Sequence, residues 1–132
     1  MAQPRRILVV EDEPDLRVTL SEVLALNGYE VESASNGREA LRRLSQAPRP
    51  HLILLDLRMP IMDGWTLRRE LQNDVELRSI PIVILSGADD LVDETEDPQL
   101  GALQKPFEIG AVIDMVERYG APPSSRPPPI VT

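Results

Sequence analysis

Short apolar runs recur along the chain and predict five β-strands. The runs are Ile7–Val10, Val31–Ala34, Leu52–Leu55, Ile82–Leu85 and Ala102–Leu103. The first, third and fourth are continuous, as in strands that a parallel sheet buries on both faces. The second run is weaker, and the fifth is so short that it is identified mainly by its neighbours.

Helical periodicity fills most of the intervals between these runs. The apolar positions that mark helices are Leu16, Leu20, Val23 and Leu24; Ala40, Leu41, Leu44 and Ala47; Leu67, Leu71 and Val75; and Ile109, Val112, Ile113 and Val116. Pro14 suits the first turn of the first helix, and Pro48 ends the second. The stretch between Gly87 and Gly101 is acidic and contains a proline, so we expect the helix there, the fourth, to be short or irregular.

Alternation of strands and helices over this length predicts an α/β fold, a doubly wound five-stranded parallel sheet with helices on both faces. Residues 1–120 are predicted to form one domain. Residues 121–132 contain five prolines, and proline fits neither a helix interior nor a central strand. We therefore predict a disordered, Pro-rich tail.

Composition narrows the possible functions. The 132 residues carry 14 basic and 22 acidic side chains, a net charge of −8, which argues against direct nucleic-acid binding. The chain contains no cysteine, which excludes disulfides and thiolate ligands and fits a cytoplasmic location. No apolar stretch approaches the length of a membrane span, so membrane insertion is not expected.

Polar residues stand where the predicted strands end. Asp56 is the most unusual, because it directly follows the apolar run Leu52–Leu55 and aspartate is rarely buried. The carboxyl ends of parallel strands meet at one edge of the sheet, where such folds form their sites. The residues brought to that edge are Glu11, Asp12, Glu13, Asp56, Ser86 and Lys105. Crowded carboxylates repel one another, so the cluster needs a cation, and hard oxygen ligands beside water favour Mg²⁺.

Each of these residues also has an ordinary explanation. Asp12 or Glu13 could cap the first helix, where carboxylates interact favourably with the helix dipole. Ser86 alone is typical of a turn, and Lys105 alone of a surface charge. Their coincidence at one edge favours a site. The single histidine, His51, stands at the other end of the third strand and is interpreted as an ordinary residue at a strand start.

Four stretches of the sequence resemble the receiver domain of two-component response regulators. They are ILVVEDEPDLR, LILLDLRMPIMDGW, IPIVILSGAD and LQKPFEIGAVIDMV. The second is the most specific, because an aspartate after an apolar strand, followed by Met-Pro and Asp-Gly, is rarely met elsewhere. The resemblance spans residues 5–119 and implies the flavodoxin-like (βα)5 receiver fold, here of the stand-alone, single-domain type.

The resemblance implies a catalytic set for phosphoryl transfer. Asp56 corresponds to the aspartate that accepts the phosphoryl group and becomes the site of phosphorylation. Ser86 corresponds to the residue whose hydroxyl bonds the phosphoryl oxygens, and Lys105 to the lysine that pairs with the aspartate or phosphoryl group. The family also implies a cis peptide between Lys105 and Pro106, an isomer that is accessible at modest cost only before proline.

The resemblance also implies the ligands of the cofactor, Mg²⁺. Glu11 and Asp12 correspond to the acidic pair that binds the metal. Asp56 is a further carboxylate ligand, and Arg58 corresponds to the residue whose backbone carbonyl completes the set.

The sequence departs from the family pattern around the switch positions, Ser86 and Ala102. Gly87 follows Ser86 where the family usually has alanine. Ala102 stands three places before Lys105, where the family usually has an aromatic ring that swings as the hydroxyl moves. The segment from Ser86 to Lys105 is also a few residues shorter than usual. These departures concern the switch surface and leave the predicted phosphorylation site complete.

The resemblance therefore predicts a phosphoacceptor that is not a turnover enzyme, with only Mg²⁺-dependent self-phosphorylation and dephosphorylation. The expected donor is a sensor histidine kinase or a histidine phosphotransfer protein. The expected output is binding to a downstream protein target or relay of the phosphoryl group.

Three other functions are considered. A haloacid dehalogenase-type hydrolase also has an aspartate nucleophile after a strand, but it needs a second aspartate two residues later, where this chain has Arg58. A flavodoxin-like cofactor binder needs a phosphate-cradling loop after the first strand, where this chain has acids. The third alternative is a receiver-like interaction scaffold with atypical or lost phosphorylation switching.

Overall fold

The computed structural model describes residues 5–87, 90 and 100–120. Its elements, in chain order, are β1 (Arg6–Val10), α1 (Pro14–Leu26), β2 (Glu30–Ala34), α2 (Gly37–Leu44), β3 (Leu52–Asp56), α3 (Gly64–Gln72), β4 (Ile82–Ser86), β5 (Leu100–Gln104) and α4 (Ile109–Gly120). The strands form one parallel sheet in the order β2-β1-β3-β4-β5. The predicted doubly wound five-stranded sheet is confirmed, with its most apolar strands, β1, β3 and β4, at the centre.

Helices cover both faces of the sheet and divide the apolar core into two layers. One layer contains alternate residues of the central strands together with residues of α2 and α3, including Leu44 and Leu67. The other contains the remaining strand residues together with residues of α1 and α4, including Leu24 and Val116. Every residue of β3 is buried, because this strand lies between two neighbours and under both helical layers.

Two helices end earlier than the apolar pattern predicts. The second ends at Leu44, whose carbonyl accepts a bond from Arg49 Nε at 3.0 Å, so Ala47 lies beyond it. The third ends at Gln72, so the prediction that Val75 belongs to this helix is wrong, and the residue is 74% exposed. A turn closed by the Asp74 side chain follows, and Leu77 enters the core instead.

Two predictions fall on residues outside those described. They are the short or irregular fourth helix between Gly87 and Gly101, and the Pro-rich tail at residues 121–132. Within the described ranges, no helix combines the length and apolar character needed to cross a membrane.

Candidate phosphorylation and metal site

Strand register brings the predicted site residues to one edge of the sheet. Val10 pairs with Leu55 across β1 and β3, so the next residues along these strands, Glu11 and Asp56, lie side by side. On the other side, Asp56 pairs with Leu85 across β3 and β4, so Ser86 is the next residue along β4. These pairings place the carboxyl ends of all three central strands around Asp56, as predicted.

Three carboxylates meet at this edge. One oxygen each from Glu11, Asp12 and Asp56 lies within 4.8 Å of the other two. Glu11 is 0% exposed and Asp56 is 5% exposed. Both are therefore ionisable groups largely removed from water, where the charged form is costly unless it is neutralised.

The loop after β1 is held by a residue that the sequence analysis did not single out. Arg17 of α1 donates to the backbone carbonyls of Glu11 and Asp12, at 2.9 and 3.4 Å. The alternative explanation that Glu13 caps α1 is not supported, because Glu13 occupies the N-cap position without a side-chain capping bond. The acidic pair is thus fixed by a guanidinium on the helix that follows it.

Lys105 supplies one positive charge to the acidic cluster. Its Nζ donates to Glu11 Oε1 at 2.9 Å and lies 3.4 Å from Asp56 Oδ1. The Lys105 backbone N–H donates to the carbonyl of Ser86 at 2.7 Å. Its peptide bond with Pro106 is cis, as the resemblance implied.

One ammonium does not balance the carboxylates, and the pKa of Asp56 reflects this. Burial is the largest cause of an increase in that pKa from 3.8 to about 7, and the neighbouring Glu11 carboxylate is the next largest; Lys105 opposes the increase. For Lys105, burial lowers the pKa, but the bond to Glu11 and the nearby carboxylates outweigh burial and raise it overall.

The donor set fits Mg²⁺. It consists of hard carboxylate oxygens that lie close enough to share one cation, and Mg²⁺ typically binds through one or two carboxylates while it retains several waters. Three carboxylates beside a single ammonium leave the cluster short of positive charge. A divalent cation between these oxygens would supply it.

The Asp-Gly pair after β3 fixes the backbone at Asp56. The Asp63 side chain accepts the N–H of Thr66 at 2.8 Å and caps α3. Gly64 then fits against the strand end, because a Cβ at this position would clash with the Asp56 carbonyl oxygen. The absence of a side chain at Gly64 therefore lets α3 begin directly against the backbone of Asp56.

The two switch positions lie on neighbouring strands. Ser86 is buried at the end of β4. Ala102 pairs with Ile84 in the sheet and packs against the core layer that includes α2 and α3 residues. Its methyl group is a small part of that layer, so the position offers no ring that could change rotamer.

Arg58 and Asp90 form a contact that the sequence analysis missed. Arg58 Nη2 lies 2.7 Å from Asp90 Oδ1, and its guanidinium carbon lies 5.7 Å from the centroid of the Trp65 ring. Asp90 Oδ2 accepts the N–H of Gly87 at 2.7 Å. The three-residue spacing from Gly87 is a weak local signal for this turn, but no sequence signal indicates the partner 32 residues away.

Comparison with known proteins identifies the family. The sequence model of one protein family, the response regulator receiver domain, matches residues 7–117 of this chain. The chain therefore belongs to the receiver domains of two-component response regulators, which are signalling proteins and in which phosphorylation and Mg²⁺ binding are typical.

Individual relatives agree with this assignment. The chain is 35% identical over 117 residues to sporulation initiation phosphotransferase F of Bacillus subtilis, covering 86% of this chain and 92% of that protein. It is 36% identical over 118 residues to the transcriptional regulatory protein PrrA of Mycobacterium leprae, covering 85% of this chain. The chain spans about half the length of PrrA and of several other relatives.

Solved structures share the fold. The receiver domain of a signal transduction histidine kinase from Syntrophus aciditrophicus has a TM-score of 0.75 and 32% identity, with 97% of each chain covered. The receiver domain of sensor histidine kinase PA1611 from Pseudomonas aeruginosa has a TM-score of 0.75 and 30% identity, with 89% of this chain and 98% of that chain covered. That structure is described with a magnesium ion in its active-site cleft.

Proposed function

We propose that the protein is a phosphoacceptor that takes a phosphoryl group on Asp56. The observation that carries the proposal is the position of the Asp56 carboxylate, which is 5% exposed at the end of a fully buried strand. It lies beside two other carboxylates and 3.4 Å from the Lys105 ammonium. A rigid strand end of this kind holds a nucleophile in a fixed direction, and positioning supplies much of the catalysis in phosphoryl transfer.

The chemistry follows from the charges around Asp56. An Asp56 carboxylate oxygen forms a bond to phosphorus while the bond between phosphorus and the donor's imidazole nitrogen breaks, and its electron pair stays with the imidazole. Lys105 neutralises charge on the transferred group, and the Ser86 hydroxyl bonds one of its oxygens. Mg²⁺ supplies further charge neutralisation on the phosphoryl oxygens when it is bound.

Four residues would hold the metal. Glu11, Asp12 and Asp56 supply carboxylate oxygens, and Arg58 supplies its backbone carbonyl. The ionised form of Asp56 is the nucleophile, and a cation held at these oxygens would favour ionisation by lowering the pKa that burial and Glu11 raise. Asp56 would therefore act both as a metal ligand and as the nucleophile.

The partners follow from this chemistry. The phosphoryl donor is a sensor histidine kinase or a histidine phosphotransfer protein, and phosphorylated Asp56 changes binding to a downstream protein target or passes the group on. We place this exchange in the cytoplasm. We assign it to a receiver domain of residues 1–120, with residues 121–132 as a separate tail.

Labelling with a small phosphodonor tests the proposal. The full chain is incubated with acetyl phosphate and Mg²⁺ and examined by intact-mass spectrometry. We expect one added phosphoryl group on the wild type and on Asp114→Asn, a control at an exposed position of α4. We expect none on Asp56→Asn. Equal labelling of wild type and Asp56→Asn would contradict the assignment, and no labelling of either would favour the interaction scaffold instead.

A further inference from the structure

Asp90 connects the two loops that flank the phosphorylation site. Its Oδ2 accepts the N–H of Gly87, and its Oδ1 pairs with the guanidinium of Arg58, each at 2.7 Å. The Asp90 side chain is 2% exposed, although the Arg58 side chain is 68% exposed. Gly87 directly follows β4 and Arg58 is two residues beyond Asp56, so a single buried carboxylate joins the ends of neighbouring strands.

The two donors held by Asp90 are of the kind that bind phosphoryl oxygens. A phosphoryl group on Asp56 adds acceptor oxygens and negative charge at the same strand ends. Backbone N–H groups and guanidinium groups are strong donors to such oxygens. The Arg58 N–H already lies 3.4 Å from Asp56 Oδ1, so the loop that carries Arg58 lies against the phosphorylation site.

We propose that Asp90 is an internal anion that competes with the phosphoryl group on Asp56 for the Gly87 N–H and the Arg58 guanidinium. The inference rests on the proposed function and adds a route by which phosphorylation changes structure. When the phosphoryl group takes these donors, Asp90 is released and no longer joins Gly87 to Arg58 in the loop after β3. This coupling requires no aromatic ring at Ala102.

A purely local role for Asp90 is the competing explanation. The Asp90 N–H donates to the Gly87 carbonyl at 3.2 Å, so Asp90 and Gly87 also form a reciprocal turn similar to one half of a capping box. A residue with only this role would affect the stability of the fold when replaced. It would leave the affinity for an anion at Asp56 unchanged.

Beryllofluoride, a phosphoryl mimic, separates the two explanations. The full chain is titrated at saturating Mg²⁺, and bound beryllofluoride is measured by fluorine NMR. Asp90→Asn preserves size and removes the charge, and Asp90→Ala also removes the acceptor. We expect both variants to bind beryllofluoride about fivefold or more tightly than wild type, the lower end of typical coupling between sites, and Mg²⁺ affinity to change little.

Asp74→Asn is a matched control. The Asp74 carboxylate accepts the N–H groups of Glu76 and Leu77, at 2.9 and 3.1 Å, in the turn that precedes β4, at the end of the sheet opposite Asp56. This variant disturbs a comparable turn, so it should lose stability and retain the wild-type affinity for beryllofluoride.

The outcomes distinguish this inference from the proposed function. Wild-type labelling at Asp56 combined with equal or weaker beryllofluoride binding by both Asp90 variants overturns the inference alone. If the wild type takes neither phosphoryl group nor beryllofluoride, the proposed function fails. In that case binding gained by Asp90→Asn or Asp90→Ala supports competition, and no gain in either variant overturns it. A cooperative thermal unfolding transition for each variant is the check that the variant is folded.

Discussion

Lys105 Nζ lies closer to Glu11 than to Asp56, at 2.9 Å from Glu11 Oε1 and 3.4 Å from Asp56 Oδ1. The single ammonium at the site is therefore shared unequally, and the buried Asp56 carboxyl keeps a pKa of about 7. When no metal is bound, ionisation of Asp56 at neutral pH therefore destabilises the folded protein.

The first prediction concerns stability and pH. The pKa of Asp56 is higher in the folded than in the unfolded protein, so folding favours the protonated carboxyl. Without metal, the stability that this carboxyl contributes is fully present below about pH 4. It is lost as pH rises to about 7. We expect Asp56→Asn to be more stable than wild type at pH 8 in EDTA, by about 2–4 kcal/mol, and the difference to shrink near pH 4. Urea unfolding at both pH values measures this.

Two controls accompany that measurement. Asp114→Asn removes an exposed carboxylate and should show no such pH-dependent difference from wild type. Mg²⁺ should stabilise the wild type at pH 8 more than it stabilises Asp56→Asn, because binding to the folded state adds stability. A stability difference that is the same at pH 4 and pH 8 would show that Asp56 is not the titrating group.

The second prediction concerns the metal and Trp65. Arg58 links them, because its backbone carbonyl is a proposed metal ligand and its guanidinium lies 5.7 Å from the Trp65 ring centroid. Trp65 lies in the first turn of α3, and it is 39% exposed. We expect Mg²⁺ to change the Trp65 fluorescence and Asp12→Ala to abolish the response. Asp15→Ala, an exposed acid in the first turn of α1, should retain it; an unchanged response in Asp12→Ala would place the metal elsewhere.

The third prediction concerns Gly64. A methyl group there would clash with the Asp56 carbonyl oxygen and lie 2.8 Å from Leu57 Cα, and backbone atoms cannot move away as a flexible side chain can. We expect Gly64→Ala to lower the free energy of unfolding by about 1–3 kcal/mol, measured in urea. At Gly110 of α4 an added Cβ meets no atom within 4 Å, so Gly110→Ala should match or slightly exceed wild type. Equal stability of the two variants would contradict the close fit.

The fourth prediction concerns Ile61, a β-branched residue with φ of 71° in the loop after β3. The Met62 N–H donates to the Pro60 carbonyl at 2.7 Å and closes a three-residue turn of the strained, positive-φ kind. Such backbone strain costs about 1–3 kcal/mol, and the Ile61 side chain recovers little because it is 68% exposed. We expect Ile61→Gly to raise the stability by about 1 kcal/mol after the entropy cost of glycine is subtracted, as measured by urea unfolding.

Val75 offers the control for Ile61. It is 74% exposed and lies in a loop, and among the described non-glycine residues a positive φ occurs only at Ile61. Val75→Gly should lower the stability by about 0.5–1 kcal/mol, because glycine adds backbone freedom to the unfolded chain. Destabilisation of similar size in both variants would show that Ile61 is not strained.

The sequence by itself determined the order of strands and helices and the edge at which the site forms. Strands buried on both faces must be continuously apolar, so Leu52–Leu55 identified β3 and made the acid after it conspicuous. The carboxyl ends of parallel strands meet, so Glu11, Asp56 and Lys105 could be placed together although 94 residues separate Glu11 from Lys105.

Only the tertiary structure decided which partner each polar group takes. Lys105 could have paired mainly with Asp56. Its Nζ instead lies closer to Glu11 Oε1, at 2.9 Å, than to Asp56 Oδ1, at 3.4 Å. The contact between Arg58 and Asp90, the strain at Ile61 and the early ends of α2 and α3 depend on how loops meet after the sheet has formed. Periodicity along the chain indicates which face of a helix or strand a residue occupies. The features named above depend instead on atoms that folding brings together from distant segments. The sequence alone could therefore not determine them.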